Sequence, residues 1–204
     1  MTSLEIERKL ILQGYRLIGG IDEVGRGCLA GPVAAGFVIF PPDVDDLLLS
    51  SVTDSKKLTA RKREHLLKTI KSESLCAEVG WASVAEIDDL GIAVATKLAM
   101  TRAMEKSLIQ PDYLLVDAVK LDECPVPYEA IVKGDVISRT IAAASIIAKV
   151  TRDFHMSNLD MKYPGYSFKK NKGYGTRDHM IAIKSKGPTD IHRVSFEPVA
   201  SMKR

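Results

Sequence analysis

An aspartate and a glutamate stand side by side at Asp22 and Glu23, directly after a short apolar run and directly before the loop Gly25-Arg26-Gly27. Carboxylates are hard oxygen ligands, and glycines let a backbone come close to a phosphate. Together they point to phosphate chemistry. An arbitrary Asp-Glu pair is more often two solvated acids on a turn, but these flanks argue against that. On a strand the two side chains would face opposite sides; at a strand end running into glycines the alternation is expected to relax, so that both acids serve one site. Two more acids follow apolar runs: Asp117 closes Leu114-Leu115-Val116, and Asp135 follows Ala130-Ile131-Val132 after a Lys133-Gly134 step. Either alone would serve equally well as a cap or turn residue. Functional groups of α/β sheets gather at strand ends, so the shared placement favours a site. Four converging carboxylates suit Mg²⁺ or Mn²⁺ and suit zinc poorly. Two such ions roughly 4 Å apart can drive an in-line displacement at phosphorus. The sequence has no G-x-S-x-G, Walker loop or H-E-x-x-H to suggest other chemistry. Asp153 competes with Asp135 for the fourth carboxylate position.

Strand character over Arg16 to Asp22 and Val33 to Phe40, joined by the glycine loop and stopped by Pro41-Pro42, predicts the start of an antiparallel sheet. Thr59 to Lys71 has helical spacing behind a threonine cap, Cys76 to Ser83 returns to strand, and Ile92 to Ile109 reads as a long helix ended by Pro111. The wholly apolar Tyr113 to Val116 has the pattern of a buried parallel strand. Ala130 to Val132 forms a further strand, and Ile137 to Met161 a long helix rich in alanine and isoleucine. A Gly-, Tyr- and Lys-rich stretch and a short helical tail follow. The order is that of an α/β domain with a mixed sheet.

The chain has 204 residues, 46% of them hydrophobic, enough for one sizeable core without disulfides. Cys28, Cys76 and Cys124 lie 48 residues apart in succession, too dispersed for a zinc pattern, and are expected to be reduced and mostly buried. No run approaches the ~20 apolar residues of a membrane span, and the charged N-terminus lacks the apolar core of a signal peptide, so a cytoplasmic protein is the default. Charge is concentrated. From Met161 to Arg193 eight basic residues stand against two acids, giving that segment +6 and leaving −3 on the rest of a chain whose net charge is +3. A polyanion would sit on this part.

GGIDEVGRGCLAGPV at Gly19 to Val33, DSKKL at Asp54 to Leu58, LLVDAV at Leu114 to Val119, VKGD at Val132 to Asp135, IAAASIIAKVTRD at Ile141 to Asp153, YPGYSFKKNKGYGT at Tyr163 to Thr176 and GPTDIHRVSF at Gly187 to Phe196 together resemble the bacterial ribonuclease HII family, the type 2 ribonucleases H. The resemblance implies a ribonuclease H-like fold with a mixed five-stranded sheet flanked by helices. It also implies a catalytic domain over residues 1–161 with a basic helical extension, 162–204, packed on it. The implied activity is endonucleolytic cleavage of RNA paired with DNA, including single ribonucleotides embedded in duplex DNA, by a monomer using Mg²⁺ or Mn²⁺. The family's metal-site acids fall on Asp22, Glu23, Asp117 and Asp135. Recognition of the ribose 2′-hydroxyl falls on Gly25, Arg26 and Gly27 together with Tyr174. That assignment is physically sound, because only the 2′-hydroxyl separates RNA from DNA at one position, and an aromatic ring can stack on the adjoining nucleotide.

Lys56, Lys57, Lys169, Lys170 and Lys172 are candidate phosphate contacts, and Ser145 and Lys149, four apart on the long helix, could face the substrate strand. Lys149 could equally pair with Asp153. His192-Arg193 either touches the edge of the site or tethers the tail, whereas His65, His155 and His179 read as surface or helix residues. Against the family's usual pattern, Ala118 and Ser167 replace glycines, Asn171 replaces a histidine and Cys28 a proline. Three competing readings fit the residues less well. A non-catalytic nucleic-acid-binding module leaves four strand-end acids unexplained. Ribonuclease HIII carries an extra N-terminal domain, for which the 21 residues before Asp22 leave no room. A resolvase- or integrase-like nuclease would not need the Gly-Arg-Gly loop with Tyr174.

Overall fold

The protein is described here by a computed structural model covering residues 2–202. β1 (Ile18–Val24) pairs antiparallel with β2 (Val33–Ile39), and β2 antiparallel with β3 (Cys76–Ala82). On its other side β1 pairs parallel with β4 (Tyr113–Asp117), which pairs parallel with β5 (Tyr128–Ile131). The resulting five-stranded mixed sheet has the order β3-β2-β1-β4-β5. The break in strand order comes between β1 and β4, where two acid-bearing strands lie side by side.

Alternation along β2 divides the core. Val33, Ala35, Phe37 and Ile39 pack against α4 (Ile92–Glu105) on one face, through Ala95, Ala99, Met100 and Ala103. Val38, on the other face, packs with α2 (Ala60–Glu73) and with the Ala142 to Ile147 run of α5 (Arg139–Lys162). α5 lies unusually close to the sheet. A Cβ at Gly36 would sit 2.1 Å from the Ala144 carbonyl oxygen, so only glycine admits the helix at this height. This closeness brings the middle of α5 beside the ends of β1 and β4.

The helix ends follow their local chemistry. Thr59 caps α2 and Ser138 caps α5 through their side-chain oxygens. α4 stops at Glu105, short of the expected Ile109, because the Ser107 hydroxyl accepts the Ile109 amide at 3.1 Å and closes a turn. Two helices were absent from the sequence reading. α3 (Val84–Leu90) starts on a capping box between Ser83 and Glu86, a signal present in the sequence. α1 (Glu5–Leu12) is fixed from afar: Glu7 accepts from Ser138 Oγ at 2.6 Å and from the Thr140 amide at 3.0 Å.

Beyond α5, the short α6 (Phe168–Asn171), α7 (Arg177–Lys186) and α8 (Val199–Met202) enclose a separate apolar cluster in which Phe168, Ile183 and Val199 meet Met156 of α5 and Leu29 and Ala30 of the glycine loop. The C-terminal segment therefore packs directly behind the loop that follows β1. Cys28 and Cys76 are buried and Cys124 half-buried, all three as free thiols. Among the described residues, no helix is long and apolar enough to cross a membrane.

Candidate active site

Asp22 lies in β1 and Asp117 ends β4, and strand alternation turns both toward α5. The turn after β5 brings in the third acid, because the Gly134 amide donates to Asp117 Oδ1 at 2.7 Å and so fixes Asp135 beside it. One carboxylate oxygen from each of Asp22, Asp117 and Asp135 lies within 4.8 Å of the others. Asp22 and Asp135 are buried and Asp117 half-buried. Burial, followed by the charges of Glu23 and Asp117, holds the Asp22 carboxyl well above the usual carboxylate range. Burial also raises Asp117, with Asp135 adding to it against the Gly134 hydrogen bond.

Glu23 departs from expectation. Pairing of β1 with β2 continues through Glu23 opposite Ala35 and Val24 opposite Ala34, so the alternation does not relax at the acid pair. Glu23 consequently stands outside the group of three, on the wall of the same cavity. Arg26 lies 3.4 Å from its Oε1, while its Oε2 is buried without a hydrogen-bond partner. Burial raises the Glu23 carboxyl, with Arg26 opposing. An all-oxygen donor set with more negative charge than Lys56 and Arg26 neutralise, and one orphaned carboxylate oxygen, fits a hard divalent cation. Asp22, Asp117 and Asp135 are the residues placed to hold one, with Glu23 beside them.

Of the two candidates for the fourth acid, Asp135 joins the cluster. Asp153 is spoken for elsewhere, 2.8 Å from Lys149 Nζ and 4.0 Å from Arg63. Asp22, Glu23 and Asp117 open into a cavity of about 350 Å³ bordered by Gly25, Arg26, Gly27, Ser55, Lys56, Ser145, Lys149 and Tyr174. Lys56 Nζ reaches Asp135 at 3.1 Å, and Ser145 Oγ lies 2.9 Å from Ser55 Oγ. Lys149 Nζ stands 5.7 Å from the Tyr174 ring centre. The Tyr174 hydroxyl is pushed up to about 12, chiefly by burial. Gly25 has φ +94°, and a Cβ there would fall 2.2 Å from Arg152 Nε.

Four of the candidate lysines do not border this cavity. Lys57 sits on an exposed 3-10 turn, and Lys169 is exposed on α6. Lys170 pairs with Asp178 at 3.2 Å. Lys172 turns inward, donating to the Asp153 carbonyl at 3.1 Å and to Ser157 Oγ at 2.7 Å. His179, expected on the surface or in a helix, lies on α7 but is fully buried against His192. His65 is exposed and His155 half-buried beside Trp81. Arg152 escaped the sequence reading. It is fully buried and donates to the carbonyls of Pro32 at 2.9 Å, Lys172 at 2.8 Å and Ala30 at 3.2 Å, tying the glycine loop to the segment before Tyr174. It stands beside Asp153 in the polar half of α5, where nothing local sets it apart.

The residues that break the family's usual pattern occupy strained or stitched positions. Ala118 has φ +51° and Ser167 φ +57°, where glycine would be unstrained. Asn171 donates to the Tyr166 carbonyl at 2.7 Å and accepts the Gly173 amide at 2.8 Å, holding the turn together.

A β3-β2-β1-β4-β5 sheet covered on both faces, with acids gathered where β1 and β4 run side by side, defines a ribonuclease H-like nuclease fold. The ribonuclease H2 of Pyrococcus horikoshii OT3 superposes with a TM-score of 0.75 at 25% identity, over 92% of this chain and 97% of that one. Bst-RNase HIII, solved in complex with Mn²⁺, gives a TM-score of 0.68 at 15% identity over 92% of this chain and 69% of its own, a likeness of fold alone. The model of the family "Ribonuclease HII" matches residues 19–199. The ribonuclease HII of Desulfitobacterium hafniense (strain DSM 10664 / DCB-2) is 51% identical over 196 residues, 96% of this chain and 74% of the relative. The chain belongs to the ribonuclease HII family. It is accordingly a ribonuclease H, a hydrolase of a metal-dependent family.

Proposed function

We propose that this enzyme hydrolyses the RNA strand of RNA–DNA hybrids and nicks duplex DNA on the 5′ side of single embedded ribonucleotides, leaving 3′-hydroxyl and 5′-phosphate ends. Two divalent ions, Mg²⁺ or Mn²⁺, would be held by Asp22, Glu23, Asp117 and Asp135. Bound there, they supply water activation and charge neutralisation for in-line displacement at phosphorus. The observation that carries this reading is one cavity bordered both by Asp22, Glu23 and Asp117 and by Gly25, Arg26, Gly27 and Tyr174, with Asp135 beside Asp22 and Asp117.

The chain's own groups divide the remaining work. The acids compete with the phosphate for cations, so Arg26, Lys56 and Lys149 on the cavity wall offset repulsion as the backbone enters. Amides of the glycine loop bond the 2′-hydroxyl. A Cβ built at Gly27 meets nothing within 4 Å, so protein packing does not require glycine there; a closely approaching ligand would. Tyr174 stacks on the nucleotide that follows and favours an RNA-to-DNA junction. Lys57, Lys169 and Lys170, exposed away from the acids, would meet phosphates farther along the duplex, whereas Lys172 contributes by fixing the turn. On this reading a single chain acts in the cytoplasm on one duplex.

The test is a DNA duplex with one ribonucleotide, incubated with and without divalent ion, with the cut site and end groups mapped. Metal-dependent cleavage 5′ of the ribonucleotide is expected. Cleavage of all-DNA duplex, or a 2′,3′-cyclic phosphate end, would overturn the reading, because the latter marks attack by the ribose hydroxyl in place of water.

A further inference from the structure

We propose that the adjacent residues His192 and Arg193 are positioning residues that hold the Gly25-Arg26-Gly27 loop and Tyr174 in register with each other. The proposal rests on the assignment of 2′-hydroxyl recognition to those two elements.

Arg193 is fully buried and makes no ion pair with another described residue. Its guanidinium is spent on backbone carbonyls: Nη2 donates to Gly25 at 2.7 Å and Gly31 at 2.8 Å, Nη1 to Arg26 at 2.8 Å, and Nε to Gly31 at 3.0 Å. A buried cation is tolerated when its donors are satisfied in this way. In a trans peptide the carbonyl and the following amide point in opposite directions. Drawing the Gly25 and Arg26 carbonyls inward therefore turns the Arg26 and Gly27 amides outward, and these are the donors available to a ribose hydroxyl.

His192 grips the other element through a chain with only one proton order. The Thr189 amide can only donate, and it lies 2.9 Å from His192 Nδ1, so that nitrogen carries the lone pair. The neutral ring then holds its proton on Nε2, facing His179 Nε2 at 3.1 Å. His179 must accept there, so its own proton is on Nδ1, which donates to the Tyr174 carbonyl at 2.9 Å. Burial keeps both rings in this neutral state, pushing His192 down to about 4 and lowering His179. The His192 ring packs against Tyr166 and Phe168, which stack on each other, at 5.2 and 5.7 Å between centres. His192 also bridges Ala30, and the Arg193 amide donates to the Leu29 carbonyl at 2.9 Å, so the dipeptide is itself attached to the loop it braces.

The test uses the full chain with Arg193→Met, Arg193→Lys and His192→Phe, each checked by thermal melting. The probes are a duplex with one ribonucleotide, its all-DNA counterpart and a long RNA–DNA hybrid. Arg193→Met should lower the affinity ratio of the ribonucleotide duplex over all-DNA by about tenfold, the worth of a lost charged hydrogen bond, with all-DNA affinity unchanged and with partial recovery in Arg193→Lys. His192→Phe keeps ring volume and stacking but removes the donor to His179. Its cleavage loss should be larger on the single-ribonucleotide duplex than on the hybrid. A loss of stability alone would move neither ratio. Folded variants with both ratios unchanged would overturn the brace, and if Arg193→Met does not fold, Arg193→Lys and His192→Phe decide alone. An unaltered chain that does not distinguish the ribonucleotide duplex from all-DNA would instead overturn the assignment of the loop.

Discussion

Replacing Asp22 by asparagine should stabilise the metal-free chain while removing most of its cleavage. Asp22, Asp117 and Asp135 present oxygens within 4.8 Å of one another, in a site buried enough to hold the Asp22 carboxyl well above its ordinary range. At that separation and an effective dielectric of about 20, each pair of unit charges repels by ~3.5 kcal/mol. The Lys56 ammonium, 3.1 Å from Asp135, offsets part of this. A net relief of about 2 kcal/mol is expected, which for a chain of this size raises the melting temperature by roughly 4–8 °C. The substitution costs little in shape. The asparagine oxygen can still accept the Glu23 amide, now at 2.7 Å, and its NH₂ can donate to the remaining acids. Divalent ion at about 100 times its dissociation constant should stabilise the parent by roughly 2.7 kcal/mol, and the variant far less. Melting in chelator and then with Mn²⁺ measures both effects. A variant that melts below its parent in chelator, or that gains as much from Mn²⁺, would refute the argument that the acids are a repulsive cluster relieved by a cation.

Gly25→Ala and Gly27→Ala should behave differently: the first places a Cβ 2.2 Å from Arg152 Nε at φ +94° and should displace the loop and cost stability, whereas the second meets no protein atom within 4 Å and should melt like the parent yet bind the single-ribonucleotide duplex weakly. Equal melting of the two would refute this. Gly36→Ala drives a methyl to 2.1 Å from the Ala144 carbonyl oxygen and 2.8 Å from Ile147 Cγ1 and should cost about 3 kcal/mol or more in denaturant unfolding, or prevent folding, since the nearest atom is backbone and cannot turn aside. Because His192 is held near 4 in the folded chain against about 6.5 unfolded, its contribution to stability is complete above pH ~6.5 and declines as pH falls toward ~4, by roughly 3 kcal/mol in all. Unfolding free energies measured across that range should fall more steeply for the parent than for His192→Phe, and parallel curves would contradict the assignment.

Much of the framework follows from local sequence. Apolar runs of strand length ending in Asp22, Asp117 and the Asp135 turn carry their own evidence, because a strand's period and its terminator are written in consecutive residues. The same holds for α2 with its Thr59 cap and for the apolar run of α5, although α5 starts after its cap Ser138 and not at the expected Ile137. Where the reading failed, the deciding contact lay far along the chain. Glu23 shares the cavity with Asp22, but the relaxed alternation expected between them is not there, because β1 stays paired with β2 through Val24. Asp135, favoured over Asp153 already in the sequence, is set beside Asp117 by the Gly134 hydrogen bond, while Lys149 takes Asp153. Composition marked the basic segment, but it could not tell Lys172, folded inward onto Ser157, from Lys169 on the surface. Arg152, Arg193 and the His179–His192 pair have no local pattern at all, since a side chain that bonds carbonyls contributed by distant segments leaves no periodicity of its own. The sequence by itself determined the elements and the chemistry at their ends. Only the tertiary structure decided which of those groups meet, because convergence depends on strand pairing and helix height between residues a hundred or more positions apart, as in Gly36 beneath Ala144 and Gly25 beside Arg193.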